Sequence, residues 1–246
     1  MNFRPALLSA AVAALLAATP LAASSPMGPK NIPQRAEIPV SQHTLAFFIQ
    51  RFQLDLDSTE HTHDITAGLA RENALRKLYL GWQARLGEFD TATLSAEDRI
   101  DAALFRRELN YRLSQLDFER TRNAQALALL PEVAPLIALA EQRRALMPLD
   151  AVKARRLIDH AASALKANET RLRGNASVSP VIALRAARLL SAFRDDFKQW
   201  HTFYNGYDPA YTQQVAKSYE VLDRQFEATA KFLRNDIAKA SDPETI

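Results

Sequence analysis

The scarcity of glycine is the feature that most restricts what this chain can fold into. Only 6 of its 246 residues are glycine, whereas about 7% is usual in globular proteins. Hairpin turns and phosphate-binding loops depend on glycine, because they need positive φ angles or a close approach of the backbone. The chain is instead rich in Ala, Leu and Arg, which are strong helix formers. The composition therefore favours helices over hairpins, β-sandwiches and nucleotide-binding loops.

Composition and charge also exclude several classes of function. Cysteine is absent, which excludes disulfides, thiolate zinc sites and cysteine nucleophiles. The chain carries 31 Lys and Arg residues against 28 Asp and Glu residues, a formal net charge of +3. A dedicated nucleic-acid-binding protein would show a concentrated basic excess. We therefore expect no nucleic-acid partner.

Residues 1–24 are predicted to be a secretory signal peptide. Arg4 precedes an apolar run over residues 6–18, and small residues follow at positions 22–25. Cleavage after Ala23 or Ser24 predicts a periplasmic or secreted protein with no membrane segment after cleavage. The alternative is an uncleaved anchor, but the run is mostly alanine and short for a span of roughly 20 residues. Residues 25–40 contain four prolines and are predicted to be an extended lead-in.

From residue 41 onward, apolar residues recur at helical spacing, and no segment alternates with a period of two. The pattern predicts an all-α domain over residues 41–246, with six to seven antiparallel-packed helices in one irregular bundle around one core. The predicted helices cover residues 43–54, 65–86, 95–118, 131–146, 151–173, 181–204 and 209–238.

Two details of this pattern are specific enough to check. Residues 55–64 are polar and acidic, which predicts a loop between the first two helices. In the third helix, Ile100, Leu104, Tyr111 and Leu116 are among the residues predicted to face the core.

No recognisable catalytic motif is present, and the histidines are weak candidates for metal ligands. His61 and His63 are the only closely spaced pair; on a strand they would share a face, but no third ligand can be assigned. His160 and His201 are interpreted as packed or surface side chains. No catalytic pair can be assigned among the carboxylates.

Paired arginines form the clearest charge pattern. They are interpreted as solvated helix faces whose aliphatic stems cover apolar surface, with a scattered anion-binding patch as the alternative. The pairs are Arg106–Arg107, Arg143–Arg144 and Arg155–Arg156.

Aromatic residues concentrate in the segment 200–211, which holds three of the six tyrosines and one of the two tryptophans. An Asn-Gly pair favours a turn, and the Asp that precedes Pro209 can cap the next helix. Such a cluster either pins two helices together, which the residues favour, or forms the floor of a cleft. The candidate residues for this helix corner or cleft are Trp200, Phe203, Tyr204, Asn205, Gly206, Tyr207 and Asp208.

The same segment resembles a motif of a large bacterial family known as domain of unknown function 885, all-helical proteins regarded as zinc metallopeptidase-like. Trp200 and Phe203–Pro209 match its Trp-x-x-Phe-Tyr-x-Gly-Tyr-Asp-Pro corner. Leu94–Arg106 resembles a helix start of that family, and Leu129–Pro131 with Arg143–Arg144 resembles its Leu-Leu-Pro and Arg-Arg helix. The resemblance covers roughly residues 40–240.

The chain also departs from the family pattern. Tyr211–Gln214 stands where the family usually has Phe-Thr-Trp-Trp, and Glu132 stands where an aromatic residue commonly follows the Leu-Leu-Pro. The resemblance implies a zinc-binding His-Glu helix in a C-terminal half, and no such motif occurs up to Ile246. The chain is therefore expected to correspond to the N-terminal half, with no catalytic, cofactor-binding or metal-binding residue of its own. Zinc is expected only with the missing C-terminal half.

Three functions follow as hypotheses. In the first, the chain is the N-terminal helical portion of a secreted zinc metallopeptidase-like protein and is inactive alone. It contacts the missing half or another polypeptide through an exposed apolar face, and it borders a path for a peptide substrate. In the second, it is a non-catalytic periplasmic helical module that binds a partner or peptide in a groove. In the third, it is an enzyme that uses His160, His201 or the corner tyrosines with carboxylates, for which no motif is found.

Overall fold

A computed structural model describes residues 45–90, 92–175 and 177–240, which all belong to one unit of the fold. The predicted signal peptide and lead-in lie outside the described residues. All regular structure in the described residues is helical, which confirms the all-α prediction. The helices are α1 (Leu45–Thr62), α2 (Leu69–Gly87), α3 (Ala96–Leu127), α4 (Ala134–Arg144), α5 (Ala151–Arg173), α6 (Pro180–Tyr204), α7 (Pro209–Gln214) and α8 (Ala216–Phe232). A 3-10 turn (Pro131–Val133) precedes α4, and a π-helical turn (Leu233–Ile237) follows α8.

Several helix ends lie where local signals predict them. The Ser95 hydroxyl accepts a hydrogen bond from the Asp98 N–H at 3.0 Å at the start of α3. The Asp150 carboxylate accepts one from the Lys153 N–H at 2.9 Å at the start of α5. α5 ends directly before Gly174. The Ser95 and Asp150 side chains bind backbone N–H groups that the first turn of a helix leaves without partners.

The predicted loop over residues 55–64 is wrong for residues 55–62, because α1 continues to Thr62, and only residues 63 and 64 lie outside the helix. Polar side chains in this part of α1 find partners one turn away. Arg51 pairs with Asp55 at 3.1 Å, and the Gln53 amide donates to Asp57 at 2.9 Å. Leu56, which follows Phe52 by one turn, is also buried in this part of the helix. The pairs at a spacing of four residues therefore stabilise the exposed side of a helix whose other side is packed.

Other helices also differ in extent from the predictions: α2 begins at Leu69 rather than at residue 65, and α4 covers Ala134–Arg144 rather than residues 131–146. α3 runs nine residues beyond the predicted end, to Leu127. The last predicted helix is divided at the buried residue Val215 into α7 and α8. The described residues therefore contain eight α-helices rather than six to seven.

The buried residues form two clusters rather than the single core that the periodicity predicts. The smaller cluster joins α1, α2 and the first half of α3, which contributes Phe105 and Leu109. The larger cluster is built mainly from α4, α5, α6 and α8, and it includes Ala126 near the end of α3. α3 can reach both clusters because its 32 residues extend over about 48 Å at 1.5 Å per residue. α3 packs against α6, and Glu119 and Asn123 in its second half contact Arg185 of that helix.

The predicted core face of α3 is wrong for three of its four residues. Ile100, Leu104 and Tyr111 are 61%, 57% and 58% exposed, and Leu116 is half-buried. The buried residues Ala102, Phe105 and Leu109 lie on the opposite face of the helix. Because α3 is apolar on two opposite faces, helical periodicity alone cannot choose which face is buried.

By length and hydropathy, no single helix among the described residues qualifies as a membrane span. One pair passes the same test together, namely Ala96–Leu127 with Pro131–Arg144, and these two segments are bent by 105° relative to each other.

Candidate functional site

The predicted helix corner is present at the end of α6, where four residues separate Tyr204 from the start of α7. The Asp208 carboxylate accepts hydrogen bonds from the N–H groups of Ala210 at 2.8 Å and Tyr211 at 3.2 Å. It therefore caps α7. Gly206 has a φ of 84°, a left-handed conformation that glycine adopts more readily than other residues.

The aromatic residues of the corner divide into a buried pair and an exposed pair. Trp200 and Tyr204 are buried, and the Trp200 ring stacks on Phe197 with centroids 4.7 Å apart. Phe203 and Tyr207 are 50% and 82% exposed. The buried pair packs α6 against its neighbours, whereas the exposed pair lies at the surface of the turn.

His201 forms a hydrogen bond with a buried tyrosine. Its Nδ1 lies 2.5 Å from the Tyr211 hydroxyl, and its ring stacks on Tyr219 with centroids 3.8 Å apart. Burial lowers the pKa of His201, raises the pKa of Tyr211 above its ordinary value and raises the pKa of Tyr219 to about 12. All three side chains are therefore neutral at pH 7, so the Tyr211 hydroxyl donates to Nδ1. His201 is a packed histidine, as the sequence indicates.

Stability is expected to fall at acidic pH because of His201. Its pKa in the folded state lies below the value of about 6.5 in the unfolded chain, so the unfolded chain binds the proton first. The stabilising contribution of neutral His201 is complete above about pH 6.5 and declines as the pH falls through that value toward the lower folded-state pKa. Urea unfolding between about pH 5 and about pH 7.5 should show a steeper loss of stability for the wild type than for His201→Gln.

The exposed residue His160 is the matched control for this measurement. His160→Gln gives the effect of replacing an exposed histidine, with which the effect of His201→Gln is compared. Equal pH dependence in the wild type and His201→Gln would contradict the assignment.

Arg143 and Arg144 are half-buried, so the interpretation of this pair as a solvated face is wrong. The Arg143 guanidinium lies over the Phe203 ring, 5.1 Å from its centroid, and Arg144 forms an ion pair with Asp64. Both side chains are engaged because the end of α4 lies against the corner and the α1–α2 connection. The other two arginine pairs are exposed, as the sequence predicts.

Side chains from α4 and α6 hold the α1–α2 connection, residues 63–68. The Thr66 N–H donates to the Asp196 carboxylate at 2.9 Å, and burial raises the pKa of that carboxyl. Glu141 accepts a hydrogen bond from the Ala70 N–H at 3.3 Å and caps α2 from outside the helix. A β-carbon at Gly68 would lie only 2.4 Å from Glu141 Oε1, so glycine leaves room for this cap.

A cleft with a volume of about 1490 Å³ opens between α2, the second half of α3, α4 and α6. It exceeds the roughly 300–1,000 Å³ of small-molecule sites, so its size suits a polypeptide segment. None of the seven corner residues lines it. Its large apolar lining residues include Leu75, Leu116, Leu127, Ile137, Ile182 and Leu189.

Charged side chains surround this apolar lining. Arg185 donates to the Asn123 amide oxygen at 2.9 Å and pairs with Glu119. Glu72 lies 3.6 Å from the guanidinium of Arg120. The charged lining residues are five arginines (Arg71, Arg120, Arg122, Arg185 and Arg188) and three glutamates (Glu72, Glu119 and Glu141). The cleft therefore has a surplus of positive charge.

The sequence pattern does not identify this cleft. Arg185 and Arg188 are three residues apart on α6 and share one face with Ile182 and Leu189. That mixture of basic and apolar residues is the only local signal. Its meaning depends on α3 lying opposite, which no local pattern in α6 reveals.

Among the described residues, no group of three or more His, Asp or Glu side chains lies together in a way that could hold a metal ion. His61 is exposed near the end of α1, and His63 follows that helix. The expectation that zinc belongs to another part of the protein stays a prediction.

Compared with known proteins, the chain matches no family model, no curated protein and no solved structure. The resemblance to domain of unknown function 885 stays a prediction based on its motifs.

Proposed function

We propose that this protein is a non-catalytic helical module that binds a polypeptide segment in the α2–α3–α4–α6 cleft. The observation that supports this proposal is the combination of a volume of about 1490 Å³ with an apolar lining bordered by charged side chains. Burial of apolar surface would supply most of the affinity, and polar groups at the border would orient the segment. A helix that places apolar residues at positions i, i+3, i+4 and i+7 suits such a groove.

The family resemblance supports a second, related proposal. In a secreted zinc metallopeptidase-like protein, the same helices would form one wall of the substrate path, and the zinc would be bound by a different segment or polypeptide. The motif from Trp200 to Pro209 is the observation that favours it. Zinc content and peptide cleavage should be measured on the purified protein. Binding without cleavage supports a binding role for this chain, whereas stoichiometric zinc with unaided cleavage contradicts both proposals.

The binding proposal predicts that filling the cleft abolishes binding. Ala138 is an exposed residue of α4 that lines the cleft, so Ala138→Trp should block the site without disturbing the buried clusters. The probes are fluorescein-labelled helical peptides of about 18 residues with leucine at i, i+3, i+4 and i+7. Their remaining positions are Glu-rich, Gln-rich or Lys-rich. Fluorescence anisotropy should detect binding by the wild type and a loss of about tenfold or more for Ala138→Trp.

Ala103→Trp provides the matched control, because Ala103 is exposed on α3 and lies outside the cleft lining. This variant should bind like the wild type, and circular dichroism should show the same helical content for all three proteins. Absence of binding by every peptide, or equal binding by Ala138→Trp, would contradict the proposed function.

A further inference from the structure

We infer that the segment bound in the cleft is acidic, with carboxylates that contact arginines of α3 and α6. This inference rests on the proposed binding function and adds the chemistry of the ligand. Two observations support it: the distribution of charge across the cleft, and the difference between charged side chains that have partners within the protein and those that do not.

The two sides of the cleft differ in charge. The side formed by α3 and α6 has four arginines and one glutamate, whereas the side formed by α2 and α4 has one arginine and two glutamates. The first set is Arg120, Arg122, Arg185, Arg188 and Glu119, and the second set is Arg71, Glu72 and Glu141. The surplus of positive charge therefore lies along α3 and α6.

The charges on the α2–α4 side are engaged within the protein. Arg71 pairs with Glu60 at 2.8 Å and also donates to the His63 carbonyl at 3.0 Å. Glu141 caps α2 through the Ala70 N–H, and Glu72 lies 3.6 Å from the guanidinium groups of both Arg76 and Arg120. This side therefore has little charge left to attract a ligand.

Arginines on the α3–α6 side keep donors for a ligand. Arg188 is exposed and has no hydrogen bond or ion pair within the described part of the chain. The Arg122 guanidinium stacks on the Phe118 ring, 3.5 Å from its centroid, which leaves the N–H groups at its edge available. Arg120 is 60% exposed, and its contact with Glu72 is long, at 3.6 Å.

A carboxylate is the group that these donors bind best within a polypeptide. Arginine presents planar N–H groups that match the two oxygens of a carboxylate. The apolar lining would contact leucine-like residues on the same segment, so an amphipathic helix with Glu or Asp along one edge satisfies both features. A nucleic acid would satisfy the arginines but offers no comparable apolar face.

The labelled peptides with Glu-rich, Gln-rich and Lys-rich polar faces test this inference directly. With identical leucine positions, the Glu-rich peptide should bind at least about tenfold more tightly than the other two, and added salt should weaken its binding most. Arg188→Glu should reduce affinity for the Glu-rich peptide by about tenfold or more and improve affinity for the Lys-rich peptide. Arg156→Glu is the matched control, because Arg156 is exposed on α5 outside the cleft and the change in net charge is the same.

The outcomes separate this inference from the proposed function. If all three peptides bind equally well and Ala138→Trp abolishes this binding, the acidic preference is overturned and the binding function is retained. Tighter binding of a single-stranded oligonucleotide than of the Glu-rich peptide, again abolished by Ala138→Trp, would also overturn it. Absence of binding by every peptide would overturn both. Circular dichroism of Arg188→Glu and Arg156→Glu verifies that each variant is folded.

Discussion

Trp200→Ala is expected to lower the free energy of unfolding by about 3–5 kcal/mol. Trp200 is fully buried in the larger cluster. Its ring lies 4.7 Å from the Phe197 ring and 5.4 Å from the Tyr211 ring, measured between centroids. Removing the indole leaves a cavity in packing that cannot collapse without moving α6 or α7. Urea unfolding followed by circular dichroism measures the loss.

Two further variants define the reason for this loss. The Trp200 indole N–H has no hydrogen-bond acceptor within the described residues, so Trp200→Phe removes volume without breaking a hydrogen bond. We expect this variant to lose clearly less stability than Trp200→Ala, since it also removes a buried donor without a partner. Phe203→Ala, at the half-exposed neighbour, should stay within about 0.5–1 kcal/mol of the wild type. A Trp200→Ala variant that loses less than about 1 kcal/mol would contradict the packing role.

Leu109→Ala should destabilise the smaller cluster by about 2–5 kcal/mol. Leu109 is fully buried between α3 and the α1–α2 pair. Because this cluster has few buried residues, the loss of one leucine side chain removes a large part of its apolar contact. Chemical denaturation of the purified variant measures the change in the free energy of unfolding.

Leu104→Ala is the matched control on the same helix. Leu104 fits the helical apolar periodicity as Leu109 does, but it is 57% exposed. Its truncation should change stability by no more than about 0.5 kcal/mol. Similar losses for Leu104→Ala and Leu109→Ala would mean that the orientation of α3 described above is wrong.

Prediction of the fold from the sequence succeeds where the signal is local. Ser95 and Asp150 begin helices as predicted, because a capping side chain bonds to backbone groups only three residues away. The turn around Gly206 is also predicted correctly, since it requires one positive φ. The predicted loop over residues 55–64 is wrong for most of its length because a polar composition does not by itself indicate irregular structure. Pairs such as Gln53 with Asp57 support the helix, and Leu56 is buried.

Prediction of the candidate site is less complete. The concentration of aromatic residues predicts the corner, but two of these residues, Trp200 and Tyr204, are buried in the larger cluster and none lines the cleft. The sequence predicts that Arg143 and Arg144 are solvated, whereas Arg143 contacts Phe203 and Arg144 pairs with Asp64. A sequence pattern indicates how a residue can interact within its own helix, whereas the contacts of these residues are made with other parts of the chain.

The amino-acid sequence by itself determined the helical class, several helix ends and the aromatic turn. These features depend on residue type and on partners within a few positions along the chain. Only the tertiary structure decided which apolar face of α3 is buried, and only it brought the arginines of α3 and α6 to one side of a cleft. The contact between Arg185 and Glu119 joins residues 66 positions apart, and local periodicity contains no information about such a pairing.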